Sequence, residues 1–232
     1  MNEPLISVIV AVRNGERFIQ QALQSIVNQT YQNWEIILVD GHSTDRTVEL
    51  AQPFSKLRYV PQTGQGVTDG YNLGIAESKG EYIAFLSHDD LWEPNKLRVQ
   101  MQYFHDHPEV QYVIGYFIAF LEPGDPVHPS LQKHILQGTH VGKIMETLLA
   151  KKALFDQIGN LDIESDVASD VEWYARAQDM HVPYGVVPDV ILRKRIHNKN
   201  TTQNIMTNQH LLYALRTSIH RKLKQIQSDA EM

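Results

Sequence analysis

Cysteine is absent from the chain. Neither a disulfide framework nor a thiolate metal site can hold this fold or carry its chemistry. The absence fits a reducing compartment. Long apolar runs are missing too, and no stretch approaches the ~18 consecutive apolar residues of a spanning helix. The opening Met1-Asn2-Glu3-Pro4-Leu5 lacks the basic start and apolar core of a signal peptide. A cytoplasmic setting is therefore expected, with peripheral contact at the inner face of a membrane kept open. Positive charge is scarce as well. Lys plus Arg number 21 against 27 Asp plus Glu, a net charge of −6. That excludes a general nucleic-acid binder, whose affinity needs a basic face, and leaves room for a local basic patch.

What is present is a globular composition, 42% hydrophobic and 21% charged over 232 residues. The length suits one large domain, or one domain with a small annex. The first half alternates strand and helix signals. Leu5–Val12 and Trp34–Val39 are Ile/Val-rich runs of the kind found in buried parallel strands. Between them Phe18, Ile19, Ala22, Leu23, Ile26 and Val27 recur at helical spacing. Ser43 and Thr44 can cap a helix running through Ala51, and Leu57–Val60 reads as a short strand. A helix over Thr68–Glu77, a strand over Tyr82–Leu86 and a helix led by Pro94 follow. This alternation predicts an α/β fold with a mostly parallel sheet. Later, Val113–Leu121 and Val186–Ile196 read as extended, Lys152–Gln157 and Ser169–Met180 as helical, and Glu122–His140 as a long loop. From Asn204 a helix is expected with Leu212, Leu215, Ile219, Leu223 and Ile226 on one face. Three parts result: 1–110, 111–200 and a C-terminal helix over 201–232.

Open α/β sheets hold ligands beyond the carboxyl ends of their strands. The residues placed there are Arg13 and Asn14, then Asp40, Gly41 and His42, then Ser87, His88, Asp89 and Asp90. Asp45 reads as a helix cap, and Asp90 as a cap for the helix led by Pro94. Asp40, directly after an apolar strand, reads as functional. Adjacent Asp89 and Asp90 repel each other at the end of a buried strand, and a divalent cation relieves both. Mg²⁺ commonly binds through one or two carboxylates plus substrate phosphates. Asp69 and Asn72 share a face near a helix start, where a phosphate can sit. Asp170 and Glu172 open a later helix, two apart, so one faces the crevice and the other solvent. Arg193, Lys194, Arg195 and His197 form a basic cluster suited to a diphosphate.

Taken in order, several blocks resemble glycosyltransferase family 2 over roughly residues 4–200. They are Ser7–Asn14; Gln29–Tyr31 with Trp34–Asp45; Asp69–Gly74; Gly80–Asp90, which ends like a DXD motif; and Gly159–Asp162 with Ser169–Trp173. The resemblance implies a GT-A fold, a Rossmann-like sheet flanked by helices. Residues 1–110 would form the donor half and 111–200 the acceptor half. It implies an inverting transfer from a nucleotide sugar, with a UDP-sugar expected, to a glycan, lipid-linked or peptide acceptor. Asp170 matches the general base. Asp89 matches the ligand of a divalent metal, Mn²⁺ or Mg²⁺, and His197 is a second candidate ligand. Arg13, Asn14, Asp40, Asp69, Asn72, His88, Arg193 and Arg195 fall to the donor. Cell-surface polysaccharide synthesis is the implied setting.

The chain departs from the family pattern at four places: Ser87 replaces the first Asp of DXD, Gly41 follows Asp40 where an acid is usual, Arg13 replaces a Tyr, and Ser169 replaces the Glu before the base. Ser87 and Gly41 support an alternative, a non-catalytic relative that binds a nucleotide or glycan. The C-terminal helix also has two readings. Its apolar stripe packs on the domain or on a second subunit as a homodimer, and its basic side, with His220, Arg221, Lys222 and Lys224, is solvated or meets an anionic membrane.

Overall fold

A computed structural model describes residues 3–125, 133–198 and 200, together with 212, 213, 216–219, 221 and 223. The alternation seen in the sequence becomes four parallel strands. They are β1 (Ile6–Val12), β2 (Trp34–Asp40), β3 (Leu57–Pro61) and β4 (Tyr82–Phe85). Helices α1 (Ile19–Val27), α2 (Thr47–Ala51) and α3 (Gly66–Glu77) connect them. After β4 come β5 (Leu91–Trp92), α4 (Lys96–Asp106), β6 (Tyr112–Leu121), β7 (His140–Val141), β8 (Leu149–Lys151), α5 (Ala153–Ile158), α6 (Ser169–Asp179) and β9 (Tyr184–Ile196). The sheet order is β3-β2-β1-β4-β8-β6-β9-β5, with β7 paired to β6. β8 runs antiparallel to β4 and β6, whereas β6 and β9 are parallel. One sheet therefore runs through both halves of the chain.

Every residue of β1 is buried, as an apolar run covered on both faces must be. Side chains of β1 alternate between two apolar layers. Val8, Val10 and Val12 pack with Ile19, Leu23 and Ile26 of α1. Ile9 and Ala11 pack with Tyr71 and Ile75 of α3. Each such aliphatic side chain contributes about 1.5–3 kcal/mol on burial. The chain entering β4 passes close to the start of β1 at Gly80, where an added Cβ would lie 2.6 Å from the Ser7 amide and 2.7 Å from the Leu5 carbonyl.

Three local expectations change. Helix α2 begins at Thr47, not near Ser43, because the polar residues before it bond to the β1–α1 loop instead. Asp90 does not cap the helix after Pro94; it accepts hydrogen bonds from the Arg195 amide and the Lys194 ammonium. Of the loop read over Glu122–His140, residues 126–132 lie outside the described residues, and Lys133–Leu136 forms a 3₁₀ turn.

In the C-terminal segment the expected orientation is reversed among the described residues. Arg221 reaches inward to Glu172 (2.8 Å) and Asp179 (3.2 Å) of α6, and the Ser218 hydroxyl donates to Asp179. Leu212, Ile219 and Leu223 stand more than half exposed. Leu215, His220, Lys222, Lys224 and Ile226 lie outside the described residues. Among the described residues no helix is long and apolar enough to cross a membrane.

Candidate active site

The carboxyl ends of β1, β2, β4 and β9 share one edge of the sheet. The loops leaving β1 and β2 are laced together there. The Asn14 amide donates to Ser43 Oγ (2.8 Å), Gly15 N to Thr47 Oγ1 (2.7 Å) and Glu16 N to Asp45 Oδ2 (3.1 Å). Asn14 Oδ1 in turn accepts from Thr44 N at 2.8 Å. Asn14 and His42 both adopt positive φ to make this corner. Asp45, one residue before the N-cap position of α2, accepts from Thr47 N at 3.0 Å and so supports the helix start. Asp40 is buried beside the corner and accepts from Ser43 N and the Tyr59 hydroxyl. Arg13 is exposed above it. Asp69, in the first turn of α3, is held by the Gln62 amide at 2.8 Å.

Beyond β4 the chain presents Ser87, His88, Asp89 and Asp90. Asp89 Oδ2 lies 2.8 Å from His197 Nε2 and accepts from Asn200 Nδ2 at 3.3 Å. Burial opposes ionisation of Asp89, yet the His197 hydrogen bond and the nearby His88 and Lys194 hold its pKa down at about 2. Burial lowers the pKa of His88, so it is neutral near pH 7. Asp90 is fully enclosed, 3.2 Å from Lys194 Nζ and 2.7 Å from the Arg195 amide. Burial pulls the Lys194 ammonium down, but Asp90, Glu146 and Asp89 together push it above its ordinary value. Lys194 therefore stays cationic among these acids.

Across the crevice, α6 starts at Ser169, whose hydroxyl accepts from Thr68 Oγ1 at 3.0 Å and so ties α6 to the start of α3. Asp170 follows in the first turn. Burial, and then the charge of Glu146, raise its pKa to about 6. Glu172 is not the solvated partner expected: it is buried against Arg176 (2.9 Å) and Arg221 (2.8 Å).

Three expected donor residues are engaged elsewhere. Both ends of the Asn72 amide bond the Leu161 backbone, at 2.8 and 3.0 Å, clipping α3 to the segment after α5. Arg193 is exposed and lines an open groove of about 580 Å³ beside α1 and β5. Arg195 is buried, with its guanidinium on Glu122, Gln21 (2.7 Å) and the Asp89 carbonyl (2.7 Å), stacked between Phe18 and Phe120. It braces the Asp89 loop from behind. Conversely, two residues stand out at the crevice more than the sequence suggests. Lys194 carries only the expectation of its basic cluster, and Glu146 carries none. Glu146 sits in a 3₁₀ turn (Met145–Thr147) just before β8. Its carboxylate accepts from the Ser87 hydroxyl and lies 4.0 Å from Lys194 Nζ.

Among the described residues, no group of three or more metal-binding side chains is gathered. Asp89 and His197 supply one carboxylate and one imidazole. That donor set fits a hard or borderline cation only if a substrate completes the shell.

The sequence profile described as "Glycosyl transferase family 2" matches residues 7–160. An uncharacterized glycosyltransferase of Rickettsia typhi is 29% identical over 95% of this chain and 73% of its own. A putative teichuronic acid biosynthesis glycosyltransferase of Bacillus subtilis, TuaG, is 24% identical over 87% of this chain and 83% of its own. Among solved structures, the mannosyltransferase PcManGT from Pyrobaculum calidifontis, in complex with GDP-Man and Mn²⁺, superposes with a TM-score of 0.72 at 20% identity. The match covers 94% of this chain and 65% of that one. S. aureus TarS 1–349 in complex with UDP-GlcNAc gives 0.68 at 19% identity, covering 86% of this chain and 60% of that one. These likenesses establish the GT-A fold. With its profile match spanning most of the sheet, the chain belongs to glycosyltransferase family 2.

Proposed function

We propose that this glycosyltransferase moves a sugar from a nucleoside diphosphate donor, a UDP-sugar first, to a hydroxyl of a growing cell-surface glycan, inverting the anomeric carbon. The observation that carries the reading is Asp170. It is a crevice-edge carboxyl at a helix start with its pKa raised to about 6, opposite the ionised Asp89. Two acids with environments that push their pKa values apart are suited to different roles. Asp170 is ionised at neutral pH yet basic enough to take a proton from an acceptor hydroxyl. Its oxygen would receive that proton as the acceptor oxygen attacks, and the nucleoside diphosphate would leave from the opposite face of the sugar.

Asp40, Arg13, Asp69 and His88 border the donor side of the crevice. Asp40 suits a ribose or base donor group, and Arg13 suits stacking on a base. Asp89 and His197 would hold a divalent cation, with donor phosphates completing its shell. Such a cation supplies Lewis-acid neutralisation of the departing diphosphate. The complexes of PcManGT with GDP-Man and Mn²⁺ and of TarS with UDP-GlcNAc support this donor class. The name of TuaG supports a surface-polymer acceptor. Lys194, held cationic among Asp89, Asp90 and Glu146, adds a fixed positive charge beside the leaving group.

Release of nucleoside diphosphate from a panel of nucleotide sugars, with and without Mn²⁺, tests the reading. Turnover of one donor that is lost in Asp170→Asn and Asp89→Ala supports it. Nucleotide binding with no release under any acceptor condition would leave a binding protein of the same fold and overturn it.

A further inference from the structure

The first Asp of the DXD pattern is Ser87 here, and the Ser87 hydroxyl donates to the carboxylate of Glu146. The acid missing from one strand end is thus replaced in space by an acid from another element. Strand pairing makes this geometric. β4 and β8 run antiparallel with Ala84 opposite Leu149, so the chain just after β4 meets the chain just before β8. An Asp at position 87 would bring a second carboxylate against Glu146, which the small hydroxyl avoids.

Glu146 is an unusual residue for this place. It is 91% buried, within the mostly apolar run Ile144–Ala150, and its backbone carbonyl is fixed by Trp92 Nε1 at 3.0 Å. A buried carboxylate is costly unless its oxygens are satisfied. Oε1 has the Ser87 hydroxyl, with Lys194 4.0 Å away. Oε2 takes no hydrogen bond from the described residues. The group lies near enough to Asp170 to be the strongest charge acting on it, and near enough to Lys194 to help hold that ammonium charged. The Tyr174 hydroxyl of α6 also donates to the Ile144 carbonyl at 3.1 Å, so Glu146 lies beside both the helix of the proposed base and the proposed diphosphate site. In any transfer through this crevice, that is where the moving sugar must lie.

We infer that Glu146 binds hydroxyl groups of the sugar being transferred, its free oxygen accepting from them while Ser87 and Lys194 hold the other oxygen in place. The inference rests on the donor reading above and adds a residue that reads the sugar rather than the nucleotide. The ligand class is a hexosyl group with a free hydroxyl directed at Glu146. A donor deoxygenated or O-methylated at that position would lose the contact.

The test compares two affinities on each variant by calorimetry. One is for the nucleotide sugar that wild type turns over, and the other for its parent nucleoside diphosphate. In Glu146→Gln and Glu146→Ala, nucleotide-sugar affinity falls about tenfold or more, the usual scale for a hydrogen bond to a charged group. Nucleoside diphosphate affinity stays within about twofold. Glu146→Ser combined with Ser87→Asp, which returns the carboxylate to the strand end, recovers part of the sugar-dependent affinity. Equal losses for both ligands, or no loss for either, in variants that keep the wild-type melting temperature would overturn the inference alone. A wild-type chain that binds no nucleoside diphosphate at all would instead overturn the donor site, and this inference with it.

Discussion

Replacing Asp170 with Asn should separate chemistry from stability in one experiment. Burial and the neighbouring Glu146 lift the Asp170 carboxyl from an ordinary value of 3.8 to about 6. As a base it works only when ionised. About nine-tenths of it is ionised at pH 7 and about one-tenth at pH 5. kcat/KM should therefore fall about tenfold between those values, along a single-proton slope. Asp170→Asn removes the base and should cost about 10²–10⁴-fold at pH 7, with nucleotide affinity little changed.

Stability moves the other way. A carboxyl with a pKa raised on folding weakens the fold wherever it is ionised. That cost is absent below about pH 3.8, grows between 3.8 and 6, and is complete above 6. Two units correspond to about 3 kcal/mol at most, and partial exposure to the crevice brings this to about 1–3 kcal/mol. The Asn variant should thus be more stable than wild type at pH 7, and the gain should vanish toward pH 4. Initial rates from pH 4.5 to 8 and urea unfolding at pH 4 and 7 supply both readings. A flat rate profile, or an Asn variant that keeps more than about a tenth of wild-type turnover, would refute Asp170 as the base. A stability gain over wild type that is no larger at pH 7 than at pH 4 would refute the electrostatic account of its pKa.

The other predictions concern the surrounding architecture. Glu146→Gln removes the largest charge acting on Asp170, so the inflection of the rate profile should shift below pH 6; an unmoved inflection would mean burial alone sets it. Asn72→Ala breaks two hydrogen bonds to Leu161 and should lose about 1–3 kcal/mol in urea unfolding while leaving nucleotide affinity intact, whereas a selective loss of affinity would return Asn72 to the donor site. Gly80→Ala drives a methyl against backbone atoms of Leu5 and Ser7 and should destabilise by about 1–3 kcal/mol; a neutral result would mean that these strands shift apart freely. Asp89→Asn should abolish any enhancement of nucleotide binding by Mn²⁺, since His197 alone cannot hold the ion; persistent Mn²⁺ dependence would place the cation elsewhere.

The parts of the fold carried by periodicity were legible in the sequence. β1 and β2 are uninterrupted Ile/Val runs, α1 has a clear apolar stripe, and each binary pattern agrees with its neighbours. The loops after β1, β2 and β4 stand out in the sequence because the carboxyl edge of a parallel sheet is where ligands bind. β5 and β8, of two and three residues, are too short to carry a pattern. Side-chain tasks were harder to read, because one residue type serves several ends. Asn14 and Asn72 sit where a donor contact is expected, yet their amide oxygens are engaged by backbone N–H groups. A sequence gives no register between such loops.

Glu146 and Lys194 fall into two different kinds of omission. Glu146 lies in an apolar stretch that reads as core, and only the fold brings it to Ser87. One local signal existed: a single acid inside Ile144–Ala150 has to be satisfied by something. Lys194 was within reach of a simple rule. Arg193, Lys194 and Arg195 lie on one strand, and successive side chains of a strand point to opposite faces. The three cations therefore cannot all clamp one diphosphate. Since Asp90 and Glu146 on the crevice face draw in Lys194, its two neighbours must turn toward α1. There Arg195 braces the Asp89 carbonyl and Arg193 stands exposed at the groove. The alternation of β9 thus divides the basic cluster between the chemistry of the crevice and the support behind it.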